Sequence, residues 1–83
     1  MSRKVLVVDD EKLIVKGIRF SLEQDGMDVD CAYDGEEALE LMEKKGEPDV
    51  LITDIQMPVM NGLKLVEETK KRYPEVLSVI VSG

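Results

Sequence analysis

The chain has 83 residues, 35% of them charged and 43% hydrophobic, a balance that suits one small globular domain and not a disordered tail. Acids outnumber bases 18 to 11, and a net charge of −7 argues against a nucleic-acid partner, which needs a basic face. With no His and a single Cys, the chain excludes a His-based triad, a Cys/His zinc site and an internal disulfide.

The hydrophobic period switches repeatedly along the chain. Val5-Leu6-Val7-Val8 is a short β-branched run, the pattern of a buried strand, and it stops at Asp9-Asp10. Ile14, Gly17, Ile18, Ser21 and Leu22 then repeat at helical spacing, and small residues in that stripe suit close packing on a sheet. Gly26 is a natural stop for this helix. Met27, Val29 and Cys31 alternate with Asp28 and Asp30, as in a half-buried edge strand. Cys31 reads as a small apolar filler in a reduced compartment.

Asp34, with Glu37 three residues on, opens a second helix as a capping-box variant. Ala38, Leu39 and Met42 point inward, and the helix ends near Gly46 and Pro48. Val50-Leu51-Ile52-Thr53 is a second buried run, again ending in an acid, Asp54. The loop Gln56–Gly62 is stiffened by Pro58, anchored by Met57 and Met60, and closed by Asn61 as a helix cap. A third helix runs from Leu63 to about Tyr73, with Leu63 and Val66 inward, and Pro74 stops it. Leu77–Val81 is a final strand.

The order β-α-β-α-β-α-β with short connections means a parallel sheet with right-handed crossovers. No apolar run reaches the roughly 18 residues of a membrane span, and the start MSRKVLVVDD lacks a signal peptide's apolar segment, so the reading is cytoplasmic with no membrane contact. Asp9, Asp10 and Asp54 all stand at the carboxyl ends of strands, where open α/β sheets bind ligands. Taken singly, Asp9-Asp10-Glu11 reads equally well as acids complementing a helix dipole, and Asp54 as a turn residue. Taken together, on adjacent strands, three carboxylates would form an all-oxygen site for a hard cation such as Mg²⁺. A carboxylate beside Mg²⁺ is either a ligand or a nucleophile that forms an aspartyl phosphate. Ser82, at another strand's end, is placed to offer a hydroxyl.

The segments VLVVDDE, DGEEAL, DVLITDIQMPVMNG and VIVSG, in this order along the whole chain, resemble the receiver domain of bacterial response regulators in two-component signalling. The resemblance implies a flavodoxin-like open parallel sheet of strand order 2-1-3-4 with three helices, and a signalling domain instead of an enzyme. It implies that Asp54 accepts a phosphoryl group from a histidine kinase, and that Asp10, Asp54 and the backbone carbonyl of Gln56 bind Mg²⁺ with help from Asp9. Ser82 would be the switch hydroxyl, and Leu13 and Phe20 would face the kinase.

Residues 1–83 correspond to the N-terminal portion of such a domain. The family's pattern continues with a further helix, a fifth strand bearing a Lys-Pro pair and a last helix, and none of these is present. Without them Leu77–Val81 is a bare apolar edge, so self-association through it or through exposed helix faces is expected. The alternative is a truncated or engineered fragment that self-associates and has lost phosphorylation-dependent signalling. An aspartyl-phosphate phosphatase would need Asp-x-Asp after the first strand, and Val8-Asp9-Asp10-Glu11 does not supply it.

Overall fold

Each apolar run becomes a strand, and each stretch between runs becomes a helix lying against the sheet. The computed structural model describes residues 3–81. Strands β1 (Lys4–Val8), β2 (Asp28–Ala32), β3 (Val50–Asp54) and β4 (Leu77–Val81) alternate with helices α1 (Lys12–Gln24), α2 (Gly35–Lys45) and α3 (Gly62–Arg72). All strand pairs are parallel, in the order β2-β1-β3-β4. This is the flavodoxin-like arrangement that the segment pattern implied. Among the described residues, no helix is long and apolar enough to cross a membrane.

Side chains of β1 alternate between two cores. Leu6 and Val8 pack with Leu51, Ala32, Ala38, Met42 and Leu65 on the side of α2 and α3. Val5 and Val7 pack with Val15 and Val29 on the side of α1. Asp34 caps α2 as expected: its Oδ1 accepts from the Glu37 N–H at 2.8 Å. Asn61 does the same for α3 through the Lys64 N–H, at 2.8 Å. Gly26 and Gly46 take φ of +83° and +92° just past α1 and α2, a conformation open to glycine at little cost.

Two helix faces differ from the sequence reading. In α1 the buried residue is Val15, with Ile18 and Leu22 half-buried behind it, while Ile14, Gly17 and Ser21 are exposed. A Cβ at Gly17 would meet nothing within 4 Å, so its small size serves no close contact here. The reason is placement: α1 lies over β1 and β2, reaches only the margin of β3, where Val50 and Ile52 are half-buried, and leaves β4 uncovered on its side. In α3, Leu65 and Thr69 are fully buried, while Leu63 is exposed and Val66 only half-buried. Thr69 tolerates burial because its hydroxyl donates to the Leu65 carbonyl at 2.8 Å.

Because α1 is offset, β4 has bare apolar surface. Leu77, Val79 and Val81 are 63%, 41% and 46% exposed. They stand in register with Val50, Ile52 and Asp54, so the strip belongs to the α1 side of the sheet.

Candidate functional site

Register brings the acids together. Val8 pairs with Thr53, so the residues that follow them, Asp9 just past β1 and Asp54 at the end of β3, stand side by side. Asp9 is held at this position by its N–H, which donates to the Ala32 carbonyl of β2 at 3.2 Å. Asp10 follows and is exposed. One carboxylate oxygen from each of Asp9, Asp10 and Asp54 lies within 4.8 Å of the other two.

Asp9 and Asp10 stand just before α1, where they complement its dipole, but the N-cap residue, Glu11, does not cap the helix with its side chain, and the first turn of α1 contains no acid. Asp9 instead turns its Oδ1 to the Glu11 N–H, at 3.0 Å. Burial raises the Asp9 carboxyl above its ordinary value, the Glu11 N–H opposes that shift, and the charges of Asp54 and Asp10 add to it. A cluster of this kind is relieved by a proton or by a cation, and its all-oxygen donors suit a hard divalent ion.

The carboxylates open into a cleft of about 490 Å³. Gln56, Ile14 and Val81 complete much of its wall. The β3–α3 loop forms its rim, and several contacts fix that loop. Met60 packs over Gly35, where a Cβ would meet its side chain at 2.8 Å. Met57 and Met60 both pack against the core beneath α2 and α3, as anchors. The Met60 N–H donates to the Pro58 carbonyl at 2.8 Å around Val59, whose φ is +70°, which makes a γ-turn.

The acid on β3 is itself clamped. The Ile55 N–H donates to Asp54 Oδ1 at 2.8 Å, and the Gly62 N–H donates to the Ile55 carbonyl at 2.7 Å. A Cβ on Gly62 would overlap the Asp54 carbonyl oxygen, so only glycine lets α3 start here. Ile55, Gly62 and Thr53 escape a reading of the sequence for chemistry. Thr53 gives the one signal, a hydroxyl inside an apolar strand run.

The other sequence candidates lie around this cleft or away from it. Leu13 and Phe20 sit on α1, 83% and 65% exposed. Gln56 lines the cleft. Ser82 lies outside the described residues. Cys31 is half-buried against the α1-side core, where burial raises its thiol pKa and the nearby Arg19 opposes the rise.

The comparisons agree with this geometry. The response regulator receiver domain family matches residues 5–83, and the chain belongs to that family. It is a family of signalling domains in two-component systems, not of enzymes in the usual sense. A response regulator receiver domain protein from Clostridium thermocellum is 39% identical with a TM-score of 0.90, over 98% of this chain and 65% of that one. A CheY-like receiver from Methanospirillum hungatei JF-1 is 29% identical with a TM-score of 0.95, over 100% and 66%. The response regulator TrrA from Thermotoga maritima, solved in complex with Mg(2+)-BeF, is 34% identical with a TM-score of 0.88, over 96% and 69%. The chain thus spans about two thirds of the length of these solved structures.

Proposed function

We propose that Asp54 is the phosphoacceptor of this receiver domain and takes its phosphoryl group from the phosphohistidine of a sensor kinase. The observation that carries the reading is the meeting of three carboxylates within 4.8 Å at the carboxyl ends of adjacent parallel strands. Asp9, Asp10, Asp54 and the Gln56 carbonyl would hold Mg²⁺, which when bound neutralises the charge gathered by the carboxylates and the phosphoryl oxygens. A solved relative carries Mg(2+)-BeF, which supports that assignment.

The chain's own residues supply the rest. Asp9 and Asp10 set the negative potential that draws in the cation. The Ile55 N–H occupies Asp54 Oδ1 and so limits the carboxylate's rotation. In the transfer, a carboxylate oxygen of Asp54 bonds to phosphorus while the P–N bond of the donor breaks. The electron pair leaves with the imidazole nitrogen, which takes up a proton. Ser82 follows β4 directly in sequence, and we assign its hydroxyl to a phosphoryl oxygen.

Leu13 and Phe20 are assigned to the kinase interface. They are apolar, exposed, and carried by the helix that borders the acid cleft. The apolar strip of Leu77, Val79 and Val81 is assigned to self-association, with exposed helix faces contributing. We read the chain as cytoplasmic, a setting that suits a reduced lone thiol, with no membrane or nucleic-acid partner of its own.

Phosphoramidate, whose P–N bond mimics phosphohistidine, tests the phosphoacceptor role. A ³¹P signal of a protein acyl phosphate should appear with Mg²⁺ and vanish with a chelator. A signal of equal size in Asp54→Asn would refute it.

A further inference from the structure

We propose that Thr53 is a positioning residue for Asp54, acting through the peptide unit that joins Asp54 to Ile55. The proposal rests on the reading of Asp54 as the phosphoacceptor. Thr53 is fully buried, on the side of the sheet opposite Asp54. Its hydroxyl donates to the Asp54 carbonyl oxygen at 2.9 Å. The N–H of that same peptide unit belongs to Ile55, and it donates to Asp54 Oδ1 at 2.8 Å. The three groups form one chain, from the Thr53 hydroxyl through the amide to the carboxylate.

Two physical consequences follow. A hydroxyl on the carbonyl end polarises the amide, so its N–H becomes a better donor to the carboxylate. The hydroxyl also fixes the plane of the amide. Gly62 closes the far side of the same carbonyl, and its own N–H holds the next one, at 2.7 Å. The amide is therefore gripped from two directions, and the Asp54 rotamer is set by an N–H that cannot swing. That rotamer keeps an Asp54 oxygen within 4.8 Å of those of Asp9 and Asp10. Thr53 touches neither donor nor cation, so its effect reaches the reaction only through the orientation of Asp54.

The test uses the full chain with Thr53→Val, which keeps the shape and removes the hydroxyl, and Thr53→Ser, which keeps the hydroxyl. Thr69→Val removes the other buried threonine hydroxyl, which bonds Leu65 within α3 and serves as the control for general loosening. Two quantities are read: hydrogen exchange of the Ile55 amide, and the rate of Mg²⁺-dependent acetyl phosphate labelling. In Thr53→Val, exchange should quicken and labelling should slow by about five- to tenfold each, the size of one hydrogen bond of about 1 kcal/mol. Thr53→Ser should restore both, and Thr69→Val should leave Ile55 exchange alone. Unchanged Ile55 exchange in Thr53→Val, or equal acceleration in Thr69→Val, overturns the proposal. If the parent shows no adduct at all, the phosphoacceptor reading fails instead, and Ile55 exchange still decides what Thr53 does to the clamp.

Discussion

Gly62 stands directly behind the Asp54 carbonyl, so close that a Cβ there would overlap the oxygen. The start of α3 and the end of β3 therefore share one tight contact, and the acid site depends on it. Gly62→Ala should cost about 1–3 kcal/mol, as overpacking of a tight site does. It should also weaken Mg²⁺ binding, because relief of the clash must move Asp54 or Ile55. Urea unfolding and a Mg²⁺ titration, run on the same sample, check both. A variant as stable as the parent and with the same Mg²⁺ affinity would contradict the contact.

Val59 carries the opposite kind of strain. Its φ of +70° is a conformation that β-branched residues avoid, and its side chain is 77% exposed, so no packing offsets the strain. Val59→Gly should gain about 0.5–1 kcal/mol, the relief of about 1–2 kcal/mol being partly offset by a more flexible unfolded chain. The urea midpoint should rise. A fall would show that Val59 is held by something other than backbone geometry.

The buried acid gives a pH signature. Burial first, then the charges of Asp54 and Asp10, hold Asp9 above its ordinary value, against the pull of the Glu11 N–H. As pH rises from about 4, the unfolded chain loses its proton before the folded one does, so folding loses stability through that window. The loss stays in full at neutral pH unless a cation takes the charge. Asp9→Asn keeps an oxygen for the Glu11 N–H and removes the charge. Its stability relative to the parent should grow from pH 3.5 to pH 7 without divalent cation, and Mg²⁺ should stabilise the parent more than the variant. A difference that is flat with pH would refute the shift.

Leu13 and Phe20 are exposed enough that alanine at either should change stability by no more than about 0.5 kcal/mol. Transfer from a cognate kinase should nevertheless fall by about tenfold or more at a residue that anchors the interface. Unaltered transfer kinetics in both variants would remove them from the kinase surface.

Much of the molecule was legible because strands, caps and stops have local causes. The runs ending at Asp9 and Asp54 needed only the rule that ligands gather at the carboxyl ends of parallel strands. The faces of α1 and α3 were harder. In α1, positions 14, 17 and 21 and positions 15, 18 and 22 both repeat at helical spacing, and only the offset of α1 over β1 and β2 selects Val15. In α3, Thr69 hides its hydroxyl on the Leu65 carbonyl, so a polar residue fills a core position that hydropathy gives to Val66. The clamp on Asp54 was invisible for another reason. Its donor is the backbone N–H of Ile55, a group every residue but proline possesses.

The uncovered strip makes a claim about assembly. Val79→Lys puts a charge in its centre, and burying that charge unpaired in an interface is costly. Sedimentation should show the parent associating at high micromolar concentration, with the variant weaker by about tenfold or more. Identical behaviour of the two would move any association to another surface.

The most direct test of the central claim is the intact mass of the chain after acetyl phosphate treatment, with and without Mg²⁺, beside Asp54→Asn. A single phosphoryl adduct that needs Mg²⁺ and is absent from the variant is the predicted result. No adduct on the parent, or the same adduct on Asp54→Asn, would contradict the assignment of Asp54 as the acceptor.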